Sequence, residues 1–291
     1  MVATLELAGY PFRPKRYQLR DGAAMSYVDE GQGEVVVMVH GNPSWSYLYR
    51  DLISALAPQY RCIAPDHIGC GLSDKPQNYP YRLSQHIDNL EALLDHLDVR
   101  SCVLVVHDWG GAIGLGWAGR HADRVKGVVV LNTAAFLARR IPLRISLCRM
   151  PLLGPLIVRG LNGFAWPATF MAVRRKMQPA VQKGFLYPYD NWQSRVAILR
   201  FVQDIPMHPR HPSWETLVAV EQGLFRLVDK PMQICWGGRD FCFNRFFYKE
   251  WCRRFPAARA RYFPEAGHYV LEDAGEEIIP LVQYFLMSCH D

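Results

Sequence analysis

Long apolar runs, paired cysteines and a secretion signal are all missing from this sequence of 291 residues. No stretch approaches ~18 consecutive apolar residues, so we expect no transmembrane segment. None of the eight cysteines forms a CxxC pair. Residues 1–14 also lack the apolar core of a signal peptide. Together these absences predict a protein of the reducing cytoplasm.

Lysine is scarce as well, since 26 of the 33 cationic residues are Arg. The net charge of +6 is spread along the chain, whereas a nucleic-acid-binding protein concentrates its charge on one face. The sequence has no phosphate-binding loop, metal-ligand cluster or dinucleotide fingerprint, so we expect no cofactor. Apolar residues are abundant, at 50% of the chain, which is enough for a large packed core.

Short apolar runs rich in β-branched residues are the main secondary-structure signal. They predict strands at 35–39, 61–64, 103–106, 128–131 and 232–236. The runs are nearly continuous, as in a parallel sheet that is covered on both faces. Segments with helical spacing lie between them, at 45–56 and 85–97. This alternation predicts the α/β class, with a doubly wound, mostly parallel sheet.

A helical insertion interrupts this pattern. From 136 to 212, Pro and Gly cut the chain into helical pieces, the best of which is 192–202 with Asp190 as its N-cap. We therefore predict an α/β core of residues 1–135 and 213–291 with a helical lid, or cap, at 136–212. Insertions at the carboxyl end of a parallel sheet lie over its ligand crevice.

The segment after the predicted strand at 103–106 carries the strongest functional signal. It reads His107-Asp108-Trp109-Gly110-Gly111 and leads into a helix, as in a nucleophile elbow. Asp108 stands at the apex, where Ser is usual, and Val106 replaces the first of two usual glycines. Taken alone, this Asp fits a helix cap equally well.

A second segment, HGNPSW at 40–45, directly follows the predicted strand at 35–39. In enzymes with this elbow, the loop after that strand donates one backbone N–H to an oxyanion hole. The residue after the nucleophile donates the other. Those residues are Asn42 and Trp109, which favours the elbow interpretation over a helix cap.

A late His and an earlier Asp complete the set. His268 follows the last predicted strand, and Asp240 follows the strand before it. The order nucleophile 108, acid 240, base 268 is typical of this fold. Among the carboxylates near His268, we interpret Glu272 and Asp273 as the polar start of the C-terminal helix, which leaves Glu265 as the remaining competitor.

An Asp nucleophile has its own chemistry. With a pKa of about 3.9 it is ionised at pH 7 and attacks saturated carbon without a base. The product is an alkyl ester on Asp108, which water activated by His268 then hydrolyses, with Asp240 orienting the imidazole. The side chains of Asn42 and Trp109 add two neutral N–H donors beside the nucleophile, a site that fits a halide leaving group.

These motifs resemble the haloalkane dehalogenases of the α/β-hydrolase superfamily over about residues 17–286. The resemblance rests on 40–45, 65–76, 107–111, Asp240 and the Gly267-His268 pair. An Asn and Trp pair together with an Asp after the penultimate strand is similar to the third subfamily. The resemblance implies hydrolysis of a haloalkane to an alcohol and a halide, with a small apolar substrate. By position it implies the nucleophile Asp108, the base His268, the acid Asp240, and the halide donors Asn42 and Trp109.

Three alternatives stay open at this stage. The β-lactone decarboxylases of olefin biosynthesis share the same five positions and resemble the lid sequence, and they convert long-chain β-lactones to an alkene and carbon dioxide. An epoxide hydrolase would need two lid Tyr, for which Tyr187 and Tyr189 are available. The non-enzyme alternative is a binding protein that has kept the pocket. The lid is apolar and aromatic, which suits either a haloalkane or an alkyl chain; its aromatic residues are Phe164, Trp166, Phe170, Phe185, Tyr187 and Trp192.

The resemblance also bears on assembly. Third-subfamily dehalogenases form large oligomers and the decarboxylases form multienzyme complexes, so both a large homo-oligomer and a multienzyme assembly are implied. Arg residues cluster at 139, 140, 144 and 149, at 174 and 175, and at 253 and 254. They fit an interface, an anionic membrane surface or solubility, and solubility is the default expectation.

Overall fold

The computed structural model describes residues 6–138 and 141–289. Within these ranges eight strands form one sheet, in the order β1-β2-β4-β3-β5-β6-β7-β8. The strands are β1 Lys15–Gln18, β2 Ala24–Glu30, β3 Val35–Val39, β4 Arg61–Pro65, β5 Cys102–Asp108, β6 Val125–Thr133, β7 Met232–Gly237 and β8 Arg259–Phe263. All five strands expected from the apolar runs are confirmed.

The sheet is parallel from β4 through β3, β5, β6 and β7 to β8. The β1–β2 and β2–β4 pairs are antiparallel, so among the eight strands β2 is the reversed one, and β1 and β2 form a hairpin on the β4 side. The sequence did not reveal this hairpin, because β1 is an exposed edge strand with the polar sequence KRYQ. Edge strands carry charge to discourage further pairing, so an apolar run is absent there.

Helices cover both faces of the sheet. They are α1 Arg50–Leu56, α2 Leu83–His96, α3 Trp109–Arg120, α4 Leu143–Arg149, α5 Ala165–Met171, α6 Pro179–Leu186, α7 Val196–Gln203, α8 Trp214–Gly223, α9 Arg245–Arg254 and α10 Val270–Met287, with a short π-helical segment at Pro155–Gly160. One apolar cluster contains Leu104 and Val106 with residues of α2, α3 and α8. The other contains Val103 and Val105 with residues of α1 and α10. Alternate residues of β5 therefore enter two different cores, which explains why its sequence is apolar throughout.

The segment from α4 to α7 lies between β6 and β7 and forms the predicted helical lid. The chain returns to the core at α8, which packs on α3. The helix expected at 192–202 begins instead at Val196. A turn closed by Asn191 and Ser194, which exchange side-chain and backbone hydrogen bonds, delays its start. Asp190 is not its cap. The exact domain boundaries at 135 and 212 stay a prediction.

Two further expectations concern membrane-spanning segments and disulfide bonds. No helix within the described ranges is long and apolar enough to cross a membrane. All eight cysteines are free. The cytoplasmic location and the large assembly stay predictions.

Candidate active site

Asp108 stands at a strained turn between β5 and α3. Its backbone has φ of 52° and ψ of −126°, a region that non-glycine residues adopt only where the surroundings enforce it. Two glycines make room for this turn. A Cβ at Gly110 would lie 1.9 Å from the Val39 carbonyl oxygen, and one at Gly41 would lie 2.1 Å from Asp108 Oδ1. The strand, turn and helix of the predicted elbow are thus present, although Val106 replaces one glycine.

Two backbone N–H groups hold the Asp108 carboxylate. The Asn42 N–H donates to Oδ1 over 2.7 Å, and the Trp109 N–H also donates to the carboxylate. Both donors were expected from the sequence. The second oxygen, Oδ2, lies 3.7 Å from His268 Nε2. Oδ2 is therefore the oxygen available for attack, because Oδ1 already accepts the Asn42 N–H.

His268 connects the two carboxylates. Its Nδ1 lies 2.7 Å from Asp240 Oδ2, while its Nε2 faces Asp108. The backbone N–H groups of Cys242 and Phe243 donate to Asp240 Oδ1 at 2.6 and 3.0 Å. All three side chains are buried. The structure thus brings together the residues predicted as nucleophile, base and acid from the ends of β5, β7 and β8.

Asp108, His268 and Asp240 shift one another's pKa values. Burial lowers the pKa of His268, but the charge and hydrogen bond of Asp240 outweigh burial, and the net pKa is raised. Burial raises the pKa of Asp240, but His268 and the two backbone donors lower it further. Burial raises the pKa of Asp108, only partly offset by His268 and the backbone donors. The arrangement therefore favours a charged His268 held by an ionised Asp240.

The competing carboxylates do not reach His268 with their side chains. Glu265 is exposed and pairs with Arg239. Glu272 pairs with Arg50 over 2.6 Å. Asp273 accepts the Gly267 N–H over 2.6 Å. Glu272 and Asp273 both belong to the first turn of α10, as expected.

Sequence reasoning missed two residues that support the trio. Asn132, at the end of β6, donates from Nδ2 to Asp240 Oδ2 over 2.9 Å. It also exchanges hydrogen bonds with the backbone of Gly237, at 2.7 and 3.0 Å. His107 Nε2 lies 2.9 Å from the His268 carbonyl oxygen. A positive φ of 32° at Asn132 is invisible in sequence, so no signal beyond its position after a strand pointed to this role.

A cavity of about 400 Å³ opens above Asp108. Its polar end consists of Asn42, Asp108, Trp109 and His268, and most of the remaining wall is apolar. Phe136, Phe241, Phe243 and Phe247 of the core side, with Ile145, Ile157, Phe164 and Met171 of the lid, form much of this wall. A pocket of this kind suits an apolar ligand that reacts at one end.

The two predicted halide donors differ in their environment. One Asn42 amide hydrogen is already used, because Nδ2 donates to the Ile198 carbonyl oxygen of α7 over 3.1 Å. The Trp109 ring lies against Phe201 at 5.4 Å. Within the described ranges no hydrogen bond involves Trp109 Nε1. The indole N–H is thus the freer donor for a leaving anion.

The aromatic residues of the lid mostly face away from the cavity. Of the six, Phe164 contributes to the cavity wall and the other five do not. Trp166, Phe170, Tyr187 and Trp192 are exposed, and Phe185 packs in the core against Tyr269. The helical pieces present other faces to the cavity, which aromatic content cannot reveal.

The two lid tyrosines are both absent from the cavity wall. Tyr187 is exposed and Tyr189 is buried, with its hydroxyl 3.4 Å from the Gly71 N–H. This placement weakens the epoxide-hydrolase alternative, which needs two Tyr beside the nucleophile. The described residues contain no cluster of three or more metal-ligating side chains.

Comparison with known proteins agrees with this fold. Residues 34–147 match the α/β-hydrolase fold family. The chain is 45% identical to the cis-3-alkyl-4-alkyloxetan-2-one decarboxylase of Shewanella oneidensis, over 95% of this chain and 89% of that protein. It is 46% identical to the enzyme of that name from Xanthomonas campestris, over 96% of this chain and 97% of that protein.

More distant relatives are dehalogenases. Haloalkane dehalogenase 2 of Mycobacterium tuberculosis is 30% identical over 92% of this chain and 93% of its own length. The crystal structure of haloalkane dehalogenase DatA from Agrobacterium tumefaciens superposes with a TM-score of 0.83 at 28% identity, covering 95% of this chain and 97% of that one. The chain therefore belongs to the α/β-hydrolase superfamily, in the group of haloalkane dehalogenases and the closely related β-lactone decarboxylases.

Proposed function

We propose that this protein decarboxylates cis-3,4-dialkyl oxetan-2-ones, which are β-lactones, to alkenes. The observation that carries the proposal is the identity of 45–46% to two decarboxylases over nearly the whole chain, against 30% to the dehalogenase. The sequence motifs led to dehalogenation as the first prediction. Because the motifs are common to both groups, the higher sequence identity favours decarboxylation. The apolar cavity supports a substrate with two hydrocarbon chains.

The first step uses Asp108 as nucleophile. Its Oδ2 attacks the lactone carbon C4, the ring C–O bond breaks, and the ring oxygen leaves as part of a carboxylate. The product is an ester of Asp108 whose carbonyl oxygen, Oδ1, stays between the Asn42 and Trp109 backbone donors. The Trp109 indole N–H then faces the departing carboxylate, the place a halide would take.

The second step regenerates the enzyme. The bond between C3 and the new carboxylate breaks, carbon dioxide leaves, and the electron pair forms the C3–C4 double bond. The bond from C4 to Asp108 breaks at the same time, which restores the Asp108 carboxylate. No water and no net proton are consumed. A charged His268, held by Asp240, stabilises the negative charge as it moves.

Parallel turnover of two substrates tests this proposal. A cis-3,4-dialkyl oxetan-2-one should give alkene and carbon dioxide, and a bromoalkane should release far less bromide. Single turnover in ¹⁸O-labelled water sharpens the test, because ester hydrolysis places ¹⁸O in the Asp108 carboxylate and decarboxylation does not. Bromide release with ¹⁸O in Asp108 and no alkene from the lactone would overturn the proposal. A binding protein would convert neither substrate.

Dehalogenation is the second candidate, favoured by the free indole N–H of Trp109 beside Asp108. If it occurs, Trp109→Phe should lower bromoalkane turnover about a hundredfold, the typical cost of one donor to developing charge. His268→Phe should accumulate one alkyl group on the peptide that contains Asp108, as measured by mass spectrometry. Consumption of bromoalkane with an unmodified peptide would contradict the covalent mechanism.

A further inference from the structure

The lid exposes an unusual amount of apolar surface. Among the described residues sixteen large hydrophobic side chains are well exposed, and eleven of them lie between Leu143 and Trp192. The most exposed are Leu152 at 88%, Leu143 at 75% and Leu161 at 71%. Trp166 and Phe170 on α5 are about half exposed and contact each other at 5.0 Å. Apolar surface on this scale marks a site of interaction.

The same segment has charge of one sign. From 136 to 189 the sequence contains nine Arg or Lys and no Asp or Glu. Arg139 and Arg140 lie outside the described residues. The other seven are Arg144, Arg149, Arg159, Arg174, Arg175, Lys176 and Lys183, and within the described ranges none of them forms an ion pair with a carboxylate.

The cavity above Asp108 reaches the surface through this segment. Two of its lining residues are exposed, Arg144 and Leu147, and both belong to α4. The two most exposed leucines are Leu143, at the start of α4, and Leu152, three residues after its end. The same helix therefore contributes both to the exposed apolar surface of the lid and to the wall of the cavity.

We propose that the exposed lid surface docks on a membrane that contains anionic phospholipid. Leucines and aromatic side chains enter the interface, and the unpaired cations contact phosphate groups. A second copy of the chain is a poor occupant, since a symmetric contact through this surface would bring two acid-free, cationic segments together. Docking does not depend on the proposed reaction, but it would present membrane-dissolved apolar substrates to the cavity.

Vesicle binding by the full chain tests the proposal without any turnover. We expect co-sedimentation with vesicles of phosphatidylcholine and phosphatidylglycerol, and at least tenfold weaker binding to pure phosphatidylcholine. Binding should also weaken in about 1 M salt, where the Debye length falls to ~3 Å. Vesicles with brominated acyl chains should quench wild-type Trp fluorescence, and Trp166→Phe should reduce that quenching.

Two pairs of variants locate the contact. Leu143→Asp with Leu152→Asp should weaken vesicle binding at least tenfold; the first change also places an acidic residue at a helix start, where it is tolerated. The matched control is Phe225→Asp with Tyr284→Asp, two residues outside the lid that are 70% and 61% exposed. Arg174→Gln with Arg175→Gln should weaken binding similarly, whereas Arg245→Gln with Lys249→Gln on α9 should not.

Several outcomes would overturn the proposal. One is equal binding to both vesicle types, and another is equal loss in the lid and control variants. A third is an oligomer that dissociates in the lid leucine variant without any vesicle binding, which would assign the surface to a second copy. A fourth is binding to an acidic protein but to neither vesicle. Light scattering and thermal melting confirm that each variant is folded, and turnover of a short, water-soluble substrate separates loss of docking from loss of the reaction.

Discussion

The core and the lid of this protein differ in how their cations are paired and in how much apolar surface they expose. In the core Arg50, Arg61 and Arg254 each pair with carboxylates, and the residues of strands β3 to β7 are almost completely buried. In the described part of the lid the cations form no ion pair with a carboxylate, and many leucines face outward. Packing and pairing account for the core as a stable fold. They give no reason for the outer lid surface, so that surface points to an interaction.

A few polar contacts join the two regions near the active site. Asn42 donates to the α7 carbonyl of Ile198. Asp273 accepts the backbone N–H groups of Arg174 and Arg175 at 2.9 and 2.8 Å. Because Asp273 also holds Gly267, one carboxylate connects the lid to the loop that carries His268. The inner side of the lid therefore contacts residues that hold the reactive groups in place, whereas its outer surface is the proposed docking surface.

The largest expected contrast between core and lid concerns turnover. Asp108→Ala removes the proposed nucleophile and should lower turnover at least ~10,000-fold. Stability should be retained, since burial already disfavours the charged form of Asp108. Leu152→Ala in the lid should keep turnover of a short, soluble substrate. Steady-state kinetics measures the turnover of both variants. Substantial activity in Asp108→Ala would show that Asp108 is not the nucleophile.

The next contrast lies between two carboxylates of the core. Asp240→Asn takes the charged partner from His268 and should lower turnover by ~100- to 10,000-fold. Glu265→Gln, which changes an exposed ion pair with Arg239, should change turnover less than twofold. Glu265→Gln should melt close to wild type, and Asp240→Asn should fold with a lower melting temperature, because it removes the charged partner of the buried His268. If Glu265→Gln were the damaging change, the acid would be assigned wrongly.

Acid should destabilise the core through its histidines. Burial lowers the pKa of His67 to about 4 and of His107 to about 3, and places His40 and His86 well below their usual value. Between these values and ~6.5 the unfolded chain binds more protons, so stability is full above ~6.5 and falls as pH decreases. Each buried His contributes up to ~1.4 kcal/mol per pH unit. Three groups oppose this loss, because a raised pKa favours the folded state as pH falls. They are Asp66, whose pKa burial raises to about 6, and Asp108 and His268, whose net pKa values are also raised.

Urea unfolding between pH 7 and pH 5 measures this slope, and we expect a loss of several kcal/mol. The control variant is His86→Phe. His86 stacks on Phe201 at 4.4 Å, and neither ring nitrogen has a hydrogen-bond partner. The variant should therefore be more stable by ~1 kcal/mol or more and less sensitive to acid. A wild-type stability that does not change over this range would contradict burial of neutral histidines.

The smallest expected effect is at the lid surface. Leu104→Ala in β5 removes a fully buried side chain and should cost ~2–5 kcal/mol of unfolding free energy. Leu152→Ala should change it by less than ~0.5 kcal/mol. Denaturant unfolding of both variants compares the regions directly. A large destabilisation by Leu152→Ala would mean that the lid leucines stabilise the fold, and the contrast between core and lid would disappear.

The predictability of each feature follows from its physical origin. The five strands could be predicted because their residues are buried on both faces of the sheet, so that nearly all of them are apolar. The elbow, the acid and the base were visible because the chain order of this fold places them directly after strands. The β1–β2 hairpin was hidden by the polar sequence of an edge strand. The late start of α7 was hidden because side-chain hydrogen bonds of Asn191 and Ser194 compete locally with the helix.

The sequence by itself determined the alternation of strands and helices, the inserted lid, and the set Asn42, Asp108, Trp109, Asp240 and His268. Hydrophobic spacing and turn residues are local properties, so they can be read along the chain. Only the tertiary structure decided which lid residues face the cavity, that Asn132 supports Asp240, and that leucines and unpaired cations share the outer lid. These depend on how helices rotate and pack against distant strands, and packing between distant residues leaves no local pattern in the sequence.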